Sequence, residues 1–208
     1  MSTSSKIQRR LLEHEANKDP VVQFASWFAA AAEALEEAEA FTLATATPDG
    51  FPAARMLLLK GFDEQGFRFF TNYRSRKGDT LAANPAAAML FWWGPLGRQV
   101  RVEGQVQRLP DSDSDRYFAT RSRGSQISAW ASTQSTVVPD RETLERQRRE
   151  IVQRFAGRSV PRPPQWGGYL LGPALFEFWQ SREHRFHDRL RYRWEGNGAG
   201  WVLDRLSP

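Results

Sequence analysis

The sequence predicts a mainly β chain, an antiparallel barrel with helices at its periphery. Two observations carry this. Strand-like segments arrive as consecutive hairpin pairs around tight turns, not in one-for-one alternation with helices. The helical patterns are inserted between groups of strands. No internal repeat or sharp boundary divides the 208 residues, which suit one domain. A chain of this size buries roughly two-thirds of its unfolded surface without a disulfide or metal. Residues 1–18 are polar and read as a flexible arm, and 19–208 as the single domain.

Each element has a local reason. Asp19-Pro20 is a helix start, with Asp as N-cap and Pro in the first turn. From Val21 to Ala40, Phe24, Trp27, Phe28, Ala31 and Leu35 recur at helical spacing, opposite Glu33, Glu36, Glu37 and Glu39. The period then changes to two. Phe41–Thr47 and Pro52–Lys60 flank the Pro48-Asp49-Gly50 turn, and Phe67–Thr71 follows a Gly61–Gly66 turn. Ser75 opens a short helix to about Ala83, stopped by Asn84-Pro85. Ala86–Trp93 and Arg98–Arg108 read as strands around Gly94-Pro95-Leu96-Gly97. Asp111–Arg121 reads as a helix whose acidic first turn suits the dipole, Gln126–Ser135 as a loop, and Asp140–Phe155 as a strongly charged helix. Beyond the linker with Pro161, Pro163 and Pro164, strands are expected near Tyr169–Gln180, His187–Trp194 and Gly200–Leu206.

Composition narrows the chemistry. The absence of cysteine excludes disulfides, thiolate metal sites and a thiol nucleophile. Of 29 Lys+Arg, 25 are Arg and only four Lys, and the net charge of +5 invites anionic partners, either nucleic acid or phosphorylated small molecules. Eight Trp and fourteen Phe suit a large core, an interface or a planar ligand. No stretch approaches the roughly 20 apolar residues of a membrane span, and the polar N-terminus has no signal-peptide core, so a cytoplasmic protein is expected. The dinucleotide, P-loop, zinc-protease and nucleophile-elbow fingerprints are all missing.

Four segments hold candidate chemistry. In Arg55–Lys60, Arg55, Leu57 and Leu59 share one strand face and Met56, Leu58 and Lys60 the other. This is either a core strand with two snorkelling ends or a strand that lines a flat ligand. Arg76 and Lys77 follow the Ser75 cap. Cations there oppose the helix dipole, and an anion would reconcile them. Tyr117 and Arg121 lie at i,i+4 on one helix face with Ser125 beyond, so phenol, guanidinium and hydroxyl could converge on a second phosphate. Ser181–Arg193 holds five Arg and two His, and if extended it aligns Arg185, His187, Arg189 and Arg191 on one basic side. That side suits an anionic ligand or, as a rival, a nucleic acid. His184 and His187 make a poor metal site, because His14 is the only other histidine.

Taken together, these segments resemble the pyridoxamine 5'-phosphate oxidase family. The resemblance rests on Arg55–Lys60, Ser75-Arg76-Lys77, Arg98-Gln99-Val100, Gln126–Ser135, Trp166-Gly167-Gly168, Phe178-Trp179-Gln180 and Arg185-Phe186-His187-Asp188-Arg189, all in family order. It implies an FMN-binding split β-barrel that forms a homodimer with FMN at the interface. It implies that Arg55, Met56, Leu57, Leu58, Leu59, Lys60, Phe70, Thr71, Arg76 and Lys77 embrace the flavin, with Gln99, Gln134, Ser135, Trp179 and Arg189 completing the site, in part from the partner. Lys60, Tyr117, Arg121 and Ser125 would grip a substrate phosphate. Arg185 and His187, the implied catalytic pair, would sit over the pyridine ring beside Phe186, which stands where the family usually has Leu. The implied reaction is oxidation of a phosphorylated B6 vitamer by O2 to pyridoxal 5'-phosphate, with no metal, nucleic acid or membrane involved. The alternatives are a related FMN oxidase of a phenazine-type ring and a non-catalytic flavin-binding protein on the same barrel.

Overall fold

The computed structural model describes residues 10–196, 198 and 200–208. Asp19 caps α1 (Pro20–Ala34) as expected, its side chain accepting the Val21 N–H at 2.8 Å. The helix stops at Ala34, short of the expected Ala40, where Leu35 turns extended (φ −139°, ψ 145°). Glu33, Glu36, Glu37 and Glu39 crowd this end and oppose the dipole, and Ala40 is used instead to open a strand. Residues 1–9 of the expected arm lie outside the described residues. Residues 10–18 run against the sheet, with Leu11 in the core and the Asn17 carbonyl accepting the Tyr192 hydroxyl at 2.7 Å.

Among the described residues, nine strands form one antiparallel sheet: β1 (Ala40–Ala46), β2 (Pro52–Leu58), β3 (Gly61–Asp63), β4 (Gly66–Asn72), β5 (Ala86–Trp93), β6 (Arg98–Arg108), β7 (Trp166–Gln180), β8 (Asp188–Trp194) and β9 (Trp201–Arg205). Their order is β2-β1-β5-β6-β7-β4-β3, with β8 on β7 and β9 on β8. The expected turn at Gly61–Gly66 contains the short β3, so the turn proper is Glu64-Gln65.

The fifteen-residue β7 is where the sheet divides. Its first half pairs with β4 (Trp166↔Asn72 to Leu171↔Phe67) and its second half with β8 (Leu175↔Arg193 to Gln180↔Asp188), while β6 follows both halves on its other edge. The changeover falls at Gly172-Pro173, opposite a register shift at Glu103/Gly104. Pro173 has no ladder donor, and a Cβ on Gly104 would collide with the Gly172 carbonyl, so the crossing is close and bulged. The barrel closes where the Lys60 N–H donates to the Arg68 carbonyl at 2.8 Å. α1 caps it, and the fully buried Phe24 ring meets Phe62, Phe67 and Phe91 at centroid distances of 4.9, 4.8 and 5.1 Å. This is the expected barrel with peripheral helices.

The remaining helices are α2 (Arg76–Ala83), α3 (Asp111–Thr120), α4 (Arg123–Ala131) and α5 (Arg141–Arg154). Two local expectations are corrected. Most of Gln126–Ser135 is helical, because Ser122 caps α4 by accepting the Ser125 N–H (3.3 Å). Ile127 and Trp130 then pack into a second core with Phe118, Phe155, Val160 and Trp166. Ser181–Arg193 is not one extended run. A 3-10 turn at Glu183–Arg185 interrupts it, with His184 and Arg185 at φ 55° and 60°, and β8 begins only at Asp188. No helix among the described residues is long and apolar enough to cross a membrane.

Phe24→Ala empties the centre of the barrel's aromatic plug. Chemical denaturation should show a loss of about 3–5 kcal/mol, and a loss below about 1 kcal/mol would mean that the barrel holds without its cap.

Candidate active site

Three groups of side chains emerge from this frame. The first is cationic. Arg55 folds back onto β1, donating from Nη1 to the Leu43 carbonyl (3.1 Å) and Thr45 Oγ1 (2.8 Å). Ser75 caps α2, its Oγ accepting the Gly78 N–H (3.3 Å) and donating to the Asn72 carbonyl (2.7 Å). Gly78 permits this, since a Cβ there would strike the Tyr73 carbonyl. Lys77, 7% exposed, donates from Nζ to Thr71 Oγ1 (2.8 Å), Ser75 Oγ (3.1 Å) and Gln134 Oε1 (3.3 Å). Ser135, strained at φ 73°, accepts the Arg76 N–H at 3.3 Å. Arg55, Thr71, Arg76, Lys77, Gln134 and Ser135 therefore converge from four separate segments.

The charges in this group repel one another. Burial, then the nearby Arg76, holds Arg55 below its ordinary range. Burial, then Arg55, brings Lys77 from 10.5 down to about 8. A buried Lys77 beside the half-buried Arg55 and the exposed Arg76 favours an anion among them.

The second group lines a cavity of about 500 Å³ walled by Met56, Leu57, Leu58, Lys60, Phe70, Tyr117, Arg121, Ser122, Ser125 and Trp166. Phe70 stacks on Tyr117 (centroids 3.9 Å, 18°) and lies nearly parallel to Trp166 (5.6 Å, 13°). Gly168 lets Phe70 sit there, because a Cβ would come within 2.7 Å of its ring. The Arg121 guanidinium lies 4.5 Å over the Trp166 ring, and its Nη1 is buried without a hydrogen-bond partner. Burial pushes the Tyr117 phenol up and Arg121 down. Ser125, expected just past the end of the preceding helix, stands in the first turn of α4 with its Oγ 2.9 Å from Ser122 Oγ. Leu59 is buried in the main core, so its contact with a ligand would be through its backbone.

The third group lies on the outward face of β6, β7 and β8. Gln99, Trp179 and Arg189 are consecutive cross-strand partners there, with Trp92 beside Gln99. His187 stacks against Trp179 (centroids 4.5 Å), and its Nδ1 accepts the Arg182 N–H at 3.1 Å. Arg185 and Phe186 project from the turn into solvent. None of this group lines the 500 Å³ cavity of its own chain. The expected basic side is largely paired. Arg189 meets Glu177 (2.8 Å), while Arg191 and Arg193 share Asp204 (2.9 and 2.8 Å).

Sequence pattern gives neither Trp166 nor Ser122 a place in a site: Trp166 is legible only as part of Trp166-Gly167-Gly168, and Ser122 gains its place only from the helix it caps.

The position of Lys77 sets a pH response. Between about pH 8 and 10.5 the folded chain has lost this proton while the unfolded chain keeps it, so the stability of the ligand-free protein rises across that window. Anion binding moves the other way. Inorganic phosphate should bind more weakly as pH rises through 8, and Lys77→Met should weaken it at pH 7 by about tenfold and remove the break. A wild-type titration that is flat from pH 7 to about 9.5 would remove Lys77 from the grip.

Comparison with known proteins matches this arrangement. The family profile described as pyridoxamine 5'-phosphate oxidase covers residues 28–155, and that described as pyridoxine 5'-phosphate oxidase C-terminal dimerisation region covers 166–208. A relative from Rubrobacter xylanophilus, named pyridoxine/pyridoxamine 5'-phosphate oxidase, is 57% identical over 199 residues, 95% of this chain and 91% of its own. One of the same name from Acaryochloris marina is 53% identical over 202 residues, 97% of this chain and 91% of its own. Among solved structures, PhzG from Burkholderia lata 383, in complex with tetrahydrophenazine-1-carboxylic acid, has a TM-score of 0.88 at 34% identity, over 95% of this chain and 98% of that one. With both profiles in sequence along its split barrel, the chain belongs to the pyridoxamine 5'-phosphate oxidase family of enzymes.

Proposed function

We propose that this chain is an FMN-dependent oxidase of pyridoxamine 5'-phosphate and pyridoxine 5'-phosphate, with O2 as acceptor and pyridoxal 5'-phosphate and hydrogen peroxide as products. One observation carries the reading. Among the described residues the chain holds two separate cationic grips that no carboxylate pairs, one around Lys77, whose partners are hydroxyls and an amide, and one at the unpartnered Nη1 of Arg121. A phosphorylated cofactor and a phosphorylated substrate need two such grips. The relatives at 53–57% identity carry the matching name.

The residues present fit both groups. Arg55, Thr71, Arg76, Lys77, Gln134 and Ser135 would hold the FMN phosphate, with Met56, Leu57 and Leu58 along the ring system. When bound, FMN supplies the acceptor for the hydride that leaves C4' of the substrate. Lys60, Tyr117, Arg121 and Ser125 hold the substrate phosphate, and the Phe70–Tyr117–Trp166 wall keeps water from that side. Gln99, Trp179, Arg185, His187 and Arg189 come from the partner in a homodimer. This reading is supported by their outward placement and by the dimerisation-region match over residues 166–208. His187 accepts at Nδ1, which leaves Nε2–H as the donor toward a ring substituent. Arg185, exposed on its strained turn, sets the electrostatics over the pyridine.

Purified protein loaded with FMN should show flavin absorption bands and consume O2 with pyridoxamine 5'-phosphate. Arg185→Ala should lower turnover roughly tenfold or more with flavin still bound. Protein that takes up no FMN would sink the reading, and unchanged turnover would remove Arg185 from its role. Oxidation of a reduced phenazine carboxylate but not of the B6 vitamer would favour the second reading, toward which the PhzG likeness points.

A further inference from the structure

Outside the three groups, one side chain ties together two walls of the 500 Å³ cavity. Arg162 sits in the Pro161–Pro164 linker with its side chain only 10% exposed. Its Nη2 pairs with Asp111 Oδ1 (2.8 Å) and its Nε with Asp115 Oδ1 (2.6 Å), two carboxylates one turn apart at the start of α3. Its Nη1 donates to the Trp166 carbonyl at 2.7 Å, at the first residue of β7. The three bonds use three different nitrogens of one planar group, which fixes direction as well as distance. The linker has little freedom of its own. Three prolines fix φ, the Pro161 carbonyl accepts the Trp130 indole N–H (2.7 Å), and the Pro163 carbonyl accepts the Trp166 N–H (3.0 Å).

What Arg162 joins matters for the site. α3 carries Tyr117 and ends at Arg121, whose guanidinium lies 4.5 Å over the Trp166 ring. The place of the unpartnered Arg121 Nη1 therefore depends on the spacing between the end of α3 and Trp166. We propose that Arg162 is a positioning residue for the substrate-phosphate grip. By holding the start of α3 against the start of β7, it fixes the Arg121 guanidinium over Trp166 in the geometry that accepts a phosphate. Two exposed carboxylates and a backbone carbonyl occupy it, so Arg162 does not itself touch the ligand. The proposal rests on the functional reading above.

The test uses FMN-loaded Arg162→Lys, Arg162→Ala and Asp115→Asn. Asp115 is 61% exposed, so its variant retains the fold if Arg162→Ala does not. In the Arg162 variants, KM for pyridoxamine 5'-phosphate and the inhibition constant of inorganic phosphate should rise together by about five- to tenfold, with kcat and FMN retention unchanged. Asp115→Asn should move both in the same direction by about twofold. For unphosphorylated pyridoxamine, kcat/KM should stay at the wild-type value, a separation that general loosening of the fold would not produce. Unchanged KM and phosphate inhibition in the Arg162 variants would overturn the proposal. So would equal losses with the phosphorylated and unphosphorylated substrates, or loss of FMN. A wild-type holoenzyme inactive on pyridoxamine 5'-phosphate would instead overturn the functional reading, so the two failures are distinguishable.

Discussion

β7 has to serve two partner strands along a single edge. Its first six residues give that edge to β4 and its last six to β8, and the handover at Gly172-Pro173 works only because Gly104 lets β6 pass closely on the other side. Everything that concerns the site follows from this division. Toward its N-terminal end, β7 contributes Trp166 and Gly168 to the aromatic wall with Phe70 and Tyr117. Toward its C-terminal end, it sets Trp179 between Gln99 and Arg189 on the outward face. One strand thus delivers residues to two places that do not meet within a chain, and in the homodimer proposed above a second copy would bring them together.

Charge is distributed along the same division. On the outward face the arginines of the strands are paired, and the buried Glu177 takes Arg101 at 2.7 Å and Arg189 at 2.8 Å. The buried Lys77 and the half-buried Arg55 and Arg121 are surrounded instead by hydroxyls, amides, aromatic rings and other cations. Burial of such charge is costly by itself and is offset by an anion among the cations. The lopsided Arg count is thereby sorted into cations that brace the sheet and a few that no carboxylate among the described residues pairs.

Much of this was legible in the residues. The turn Gly94-Pro95-Leu96-Gly97 and the alternation on either side give β5 and β6 to the residue, because Gly97 at φ 57° ends the turn in a conformation that glycine adopts freely. Asp19 and Ser75 each accept from the helix that they were expected to open, and Asp140, where the charged helix was expected to begin, accepts the Thr143 N–H as its cap. Where the reading failed, tertiary contacts had decided the outcome. Gln126–Ser135 looked like a loop because small polar residues dilute its period, and only packing of Ile127 and Trp130 on the second core makes it helical. The turn at His184-Arg185 was hidden because two successive non-glycine residues seldom adopt positive φ, and bonds from flanking residues hold it. Trp166 could be seen as a motif, but its place beneath Arg121 depends on a linker arginine that local pattern cannot reveal.

The central claim is that each catalytic centre is built from two chains, the Lys77 side of one and the Trp179–Arg189 side of the other. Complementation tests it most directly. Lys77→Met combined with Arg55→Ala inactivates one half, and Arg185→Ala combined with Arg189→Ala the other. Each variant alone should be inactive. Co-expressed, they should regain about one quarter of wild-type turnover, because half of the random dimers carry one intact centre. No recovery from a mixture shown to contain the mixed dimer would place both halves in one chain and contradict the account.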